Sequence, residues 1–175
     1  GFQGWKINDL NTRIEFGERF SAAQSLANTS KNADAKDAFD AIAKDSPAGY
    51  QMLARFQLAS LAAKQGDLDS AIGAYKNLAD DDGIAAVYRD LAVVLGAFAE
   101  LHAKSEGAGL VARANELASG STSWRFTAKE VGALAALKNG DTKTARIRYE
   151  ELSKEAAAPQ GLRARAQSML DVLTE

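Results

Sequence analysis

Apolar side chains recur along this chain at intervals of three and four residues, the period of one face of an α-helix. Ile14, Phe16, Phe20, Ala23 and Leu26 or Ala27 form the first such face of a long helix, closed by Asn28-Thr29-Ser30. Ala35, Ala38, Phe39 and Ile42 form the second, and Ser46-Pro47 is a stop followed by a start. A third helix is predicted from about Tyr50 to Lys64, with Leu53, Phe56, Leu58 and Leu61 apolar. Gly66 breaks it, and Asp67 caps a fourth that carries Leu68, Ala71, Ile72, Tyr75 and Leu78. Asp80-Asp81-Asp82-Gly83 reads as a turn, and a fifth helix follows over about Ile84 to Lys104. Gly107 and Gly109 weaken the start of a sixth, roughly Leu110 to Ala118, and Gly120-Ser121-Thr122-Ser123 is a loop and cap. A seventh runs from Trp124 to about Lys138, an eighth from the cap Asp141 to near Ala156, and a ninth opens at Pro159. Pro suits a first turn because its missing N–H would be unpaired there anyway. No strand pattern or hairpin turn interrupts this series, so the chain is predicted to be all-α.

The helices repeat as a phrase. Gly66-Asp67 is followed by Ala71, Tyr75 and Leu78, and Gly140-Asp141 by Ala145, Tyr149 and Leu152, 74 residues later at identical spacing. A weaker copy with Ala35, Phe39, Ile42 and Pro47 sits 36 residues before the first. A period of this length means stacked helix pairs, because one pair cannot bury its own apolar face. Small residues such as Ala59, Ala71, Ala133 and Ala145 let helices approach, while Phe39, Leu58, Tyr75 and Tyr149 fill the gaps. The expected architecture is one domain over residues 1–175, an α-solenoid with units at about 16–51, 52–88, 89–125 and 126–158 and a capping helix at 159–175. Solenoids need such a cap to cover the last apolar face, and their surfaces bind other proteins.

Composition strengthens this picture and removes others. The chain has 36 alanines but only Pro47 and Pro159, which favours helix. A net charge of −2 argues against nucleic acid. Zero cysteines exclude disulfides and thiol chemistry. His102 is the only histidine, so a transition-metal site is not expected. Asp80-Asp81-Asp82-Gly83 lacks the spacing and terminal Glu of a calcium loop, and Gly107-Ala108-Gly109 follows no strand and is too short to cradle phosphate. No cofactor and no catalytic residue is expected. Arg146, Arg148, Arg163 and Arg165 make the C-terminal end locally basic, either as a solvated helix face or as a surface for an acidic partner or lipid headgroups. Trp5 and Phe2 beside Lys6 suit a membrane–water boundary, or else a helix start packed on the first repeat. No run of about 18 apolar residues is present, and the opening Gly1-Phe2 leads us to expect a segment upstream.

The phrase resembles the tetratricopeptide repeat, whose usual length is 34 with characteristic small, Gly, Ala, aromatic and Pro positions. Units starting at Phe16, Met52, Arg89 and Phe126 place small Ala23, Ala59, Gly96 and Ala133 at position 8. Position 20 then holds Ala35, Ala71, Ala108 and Ala145, and position 24 holds Phe39, Tyr75, Ala112 and Tyr149. The third unit lacks the aromatic and the Gly-Asp turn. If the resemblance holds, the first helices of the pairs line a concave face. The inward positions would be Phe20, Gln24 and Asn28; Leu53, Phe56, Ser60 and Lys64; Val93, Ala97 and Glu100; and Glu130, Leu134 and Lys138. This mixture lacks the clamp that grips a peptide carboxylate in some relatives, and it suits a hydrophobic segment or helix.

Over its whole length the chain also resembles the tetratricopeptide-like domain of the ancillary SecYEG translocon subunit family of bacteria. The resemblance is carried by the Gly4-Trp5 opening, the block around Tyr50–Leu78, and Trp124 followed by Leu137, Lys138, Gly140, Asp141, Ala145 and Tyr149. It implies a non-enzymatic scaffold on the periplasmic side of the inner membrane, anchored by a single upstream helix. Its implied partners are translocon subunits and periplasmic chaperones, with a role in protein export and quality control. The alternative is a soluble tetratricopeptide adaptor, cytoplasmic or periplasmic, in another complex such as envelope assembly.

Overall fold

A computed structural model describes residues 2–103 and 107–173. Among these residues the chain is helical throughout, with no strand. In order the helices are α1 (Phe2–Asn28), α2 (Asn32–Asp45), α3 (Ala48–Lys64), α4 (Leu68–Ala79), α5 (Ala86–His102), α6 (Leu110–Ala118), α7 (Arg125–Lys138), α8 (Thr142–Lys154) and α9 (Gln160–Leu173). These are the helices the periodicity predicts, with ends displaced by a few residues, except that α1 begins at Phe2. The expected end of the fifth helix at Lys104, the opening Gly1 and the last two residues of the cap lie outside the described residues.

The turns explain why the phrase repeats. Gly66 and Gly140 sit in the left-handed region (φ 82° and 80°), where a Cβ is disfavoured. Each ends its helix with the same pair of hydrogen bonds: Gly66 N–H to Ala63 O (3.1 Å) and Asp67 N–H to Ala62 O (3.0 Å), Gly140 N–H to Leu137 O (3.0 Å) and Asp141 N–H to Ala136 O (2.9 Å). The following aspartates then cap the next helix, Asp67 accepting from Ser70 N–H (3.2 Å) and Asp141 from Thr144 N–H (3.0 Å). The first unit makes the same turn with Ser30 at φ 60°, and the N–H groups of Ser30 and Lys31 donate to Ala27 O and Leu26 O.

The packing forms two compact units, Gly1–Ala74 and Tyr75–Glu175, with the boundary inside α4. In the first, α1 packs on α2, α2 on α3, and α1 also meets α3. Its core joins Ala23, Ala35, Phe39, Ile42, Ala54 and Leu61, with Phe20, Tyr50 and Leu58 against it. The Phe20 and Phe39 rings meet edge to face, centroids 5.4 Å apart. At 27 residues α1 is about twice as long as α2, so its first half extends beyond its neighbours. There Trp5, Ile7, Leu10 and Ile14 are exposed, Trp5 at 66%. Trp5 therefore does not pack on the first repeat, and Ile14 does not belong to the buried face that starts at Phe16.

In the second unit each helix from α5 to α9 packs on the next, and the odd-numbered helices also touch, α5 on α7 and α7 on α9. This two-layer order, one helix to the next and every second helix in contact, is that of an α-solenoid built from pairs. The core around Phe126, Ala133, Ala145, Tyr149, Leu152, Leu162 and Ala166 is closed by α9. That helix buries Leu162 and Ala166 and leaves Val172 exposed, as a cap should.

The third unit departs from the expected register. Ala108 precedes α6 and Ala112 is exposed; the side chains buried from α6 are Leu110 and Ala114. Large and small have changed places, for Leu110 fills the space in front of Gly96, where an added Cβ would lie 2.5 Å from Leu110 Cδ1 and 2.9 Å from Tyr75 Cβ. A repeat whose first helix has Gly at the contact can accept Leu from the second helix in place of the usual Ala.

Candidate protein-binding groove

Helix α7 carries Glu130, Leu134 and Lys138 at intervals of four, along one face. The structure places Glu130 and Leu134 in a groove of about 430 Å³ with Phe98 of α5, Tyr149 of α8, and Ala164, Arg165, Ser168 and Met169 of α9. The groove follows from the two-layer order: α5, α7 and α9 lie side by side, and Tyr149 of the other layer reaches between them. Its walls are mostly apolar. Its charged feature is a two-point pair, Arg165 Nε–H to Glu130 Oε1 (3.0 Å) and Nη2–H to Glu130 Oε2 (2.9 Å). Glu130 is the more enclosed partner, its side chain 14% exposed against 59% for Arg165. The hydrogen bonds to Glu130 raise the arginine's affinity for its proton further above its usual range. Burial, and after it the Glu130 charge, push the Tyr149 phenol above its ordinary value. The groove is therefore a hydrophobic slot whose charge is internally neutralised, suited to an apolar segment.

Lys138 is exposed at the end of the same helix. On α5 the expectation needs correction. Val93 is 3% exposed and Ala97 fully buried, so both are core residues. The groove takes Phe98 instead, one position beyond Ala97. A slip of one residue turns a helix face by about 100°, enough to exchange a core side chain for a surface one. Glu100 also has another task. Its carboxylate accepts the N–H groups of Gly109 (3.2 Å), Leu110 (2.8 Å) and Val111 (3.0 Å), capping α6 across the intervening segment. This cap needs Gly107, since a Cβ there would coincide with the Glu100 carboxylate. In the first unit Gln24, Asn28, Leu53 and Lys64 are exposed, Phe56 and Ser60 are partly buried, and Phe20 is held against Phe39 and Tyr50.

The other residues singled out by type have local partners. His102 Nδ1–H donates to Phe98 O (2.7 Å), one turn back on its own helix. Asp80 accepts from Lys76 (2.6 Å) and Arg113 (2.7 Å), and these bonds hold its carboxyl below the usual range. The Trp124 indole N–H donates to Val87 O (2.8 Å), and Thr122 donates to Asp90 (2.7 Å), tying the α6–α7 connection to the start of α5. The four arginines of the C-terminal end do not form one patch. Arg146 donates to Leu173 O, Arg148 to Gly132 O, and Arg165 to Glu130, while Nε of Arg163 is buried without a partner. Among the described residues no group of three or more His, Cys, Asp and Glu is placed to hold a metal ion, and no helix is long and apolar enough to cross a membrane. Comparison with protein-family models, with curated proteins and with solved structures gave no match.

Proposed function

We propose that this chain is a non-enzymatic protein-binding scaffold that holds an apolar segment of a partner in the groove at Leu134. The observation that carries this reading is the groove itself: positions chosen from the repeat, Glu130 and Leu134, line a concave apolar surface built from three odd-numbered helices. The partners we propose are translocon subunits, periplasmic chaperones or exported clients, with the domain on the periplasmic side of the inner membrane and tethered by an upstream helix. This finer assignment rests on the resemblance of Gly4-Trp5, the Tyr50–Leu78 block and the Trp124–Tyr149 block to the ancillary translocon subunit family. The exposed Trp5, Ile7, Leu10 and Ile14 of α1 support a place close to a bilayer, where an aromatic ring and aliphatic chains are favoured.

The test is to tag the full-length protein, extract membranes in mild detergent and identify co-purifying proteins by mass spectrometry. Translocon subunits and periplasmic chaperones in near-stoichiometric amounts are expected. Recovery in the soluble fraction, or from membranes without those subunits, would refute the translocon assignment and favour the soluble adaptor.

A further inference from the structure

The side of α7 away from Leu134 carries a second, larger groove with the opposite character. Arg125, Ala128, Lys129 and Gly132 recur at intervals of three and four, and on a helix this set lies roughly opposite Glu130 and Leu134. The cleft above them holds about 1170 Å³. It lies between α6 and α8, the two neighbours of α7 on that side. With 9 residues against 14 in α7 and 13 in α8, α6 is about one and a half turns shorter than α7. The space left between the end of α6 and the last turns of α8 is floored by small residues, Ala128 and Gly132. A Cβ on Gly132 would lie 3.2 Å from Asn115 Oδ1 and 3.4 Å from Arg148 Nη1, so its absence keeps the floor open.

The cations here differ from the arginine in the first groove. Arg125 and Lys129 lie over the Phe126 ring, 4.3 Å and 5.5 Å from its centroid. Arg148 Nη1–H donates to the Gly132 carbonyl (2.8 Å), which fixes the guanidinium at the floor and leaves most of its donors unused. None of the three has a carboxylate within salt-bridge distance among the described residues, whereas Arg165 in the other groove is neutralised by Glu130. Arg125 also donates to the Thr122 carbonyl (3.2 Å), so in a chain of net charge −2 three cations without a salt bridge line one cleft, an electrostatic complement for an anion.

We propose that this cleft is a second protein-binding site that takes a short acidic segment of a partner, one of whose carboxylates meets the fork of Arg148 while others face Lys129 and Arg125. Arginine presents paired donors that match a carboxylate in plane, and one already oriented loses little freedom on binding. Glu151 and Glu155 on the α8 wall oppose a nucleic acid or phospholipid surface, which would bring continuous negative charge. A peptide can place its carboxylates on the α7 side alone.

The test selects 12-residue peptides from a random phage-displayed library on the purified 175-residue chain and measures labelled winners by fluorescence anisotropy at two salt concentrations. Enrichment in Asp and Glu is expected, with affinity falling as salt rises. Lys129→Glu, an exposed change, should weaken binding about fivefold, and Glu151→Lys should tighten it by a similar factor. A gain of binding cannot come from misfolding. Leu134→Ser should leave these peptides unaffected, which separates failure of this site from failure of the first groove. Selection of peptides without acidic bias, or acidic peptides indifferent to both charge changes, would overturn the proposal. So would tighter binding, through the same residues, to phosphatidylserine vesicles or to single-stranded oligonucleotide.

Discussion

At the scale of single residues, the three repeat turns separate backbone conformation from side-chain contact. An ideal Cβ on Gly140 meets nothing within 4 Å, so whatever Gly140→Ala costs comes from the left-handed backbone alone. The expected loss is about 1 kcal/mol in urea unfolding. Ser30 occupies the same conformation with a side chain, so Ser30→Gly should be neutral or stabilising by up to about 0.5 kcal/mol, the relief of the turn offset by the added freedom of the unfolded chain. An equal loss in both variants would show that the turns are not equivalent. Asp141 beside Gly140 makes a pH-dependent contribution. Its hydrogen bonds from the Thr144 hydroxyl and backbone N–H hold its carboxyl below the usual range. Its stabilisation is then fully present above the ordinary carboxylate range and lost as pH falls through the folded value. Asp141→Asn keeps a capping oxygen that does not titrate. The Tm difference between wild type and Asp141→Asn, followed from pH 6 to pH 2, should therefore shift in favour of Asn on acidification. A difference constant across that range would exclude the cap as a titrating group.

At the scale of elements, what could be read in advance was whatever local chemistry controls. Gly66-Asp67 and Gly140-Asp141 mark their turns because only a glycine is at ease there and only a short acceptor reaches the free N–H groups. The aromatics at 39, 75 and 149 mark buried positions, none more than 5% exposed. The third unit escaped because its pair of sizes is exchanged. Leu110 against Gly96 fills the same space as an aromatic against Ala, but a pattern that expects Ala at 108 and an aromatic at 112 passes over it. The same slip turned Val93 and Ala97 toward the groove on paper, when Phe98 holds that place. Glu100 gave no signal, since its partners lie nine to eleven residues away across a segment without periodicity. It serves a helix that needs it: α6 is short, begins after the left-handed Gly109, and has no capping side chain at its own N-terminus. Glu100→Ala should cost about 1 kcal/mol, in the range of a lost cap. The loss should be local, with faster amide exchange at Leu110 and Val111 and little change in α8. Unchanged protection in α6 would mean that the helix is held by Leu110 packing alone.

At the scale of the whole molecule, α5, α7 and α9 of the second unit stand side by side because each pair must bury its face on the next. Side chains at the junctions of these helices line the groove. Glu130 and Leu134 could be found from the repeat because α7 lies in a unit with standard spacing. The opposite cleft could not, for it depends on how α6 and α8 stand on α7 and on which cations lack a salt bridge, both properties of the folded chain. Helix α7 thus has an apolar, internally neutralised slot on one face and, on the other, a cleft lined by cations without salt bridges. The first of these is the primary site in the function proposed. The most direct measurement is quantitative co-purification of the proposed partners with the full-length protein, wild type beside Leu134→Ser and Ser168→Glu, each checked by circular dichroism. Ser168 is exposed on α9 and lines the groove, so a charge placed there blocks it without touching the core. Folded variants that lose at least about tenfold of the partner, or about 1.4 kcal/mol, are the predicted result, with Lys129→Glu retaining it. Full recovery of the partner by both folded groove variants would contradict the assignment.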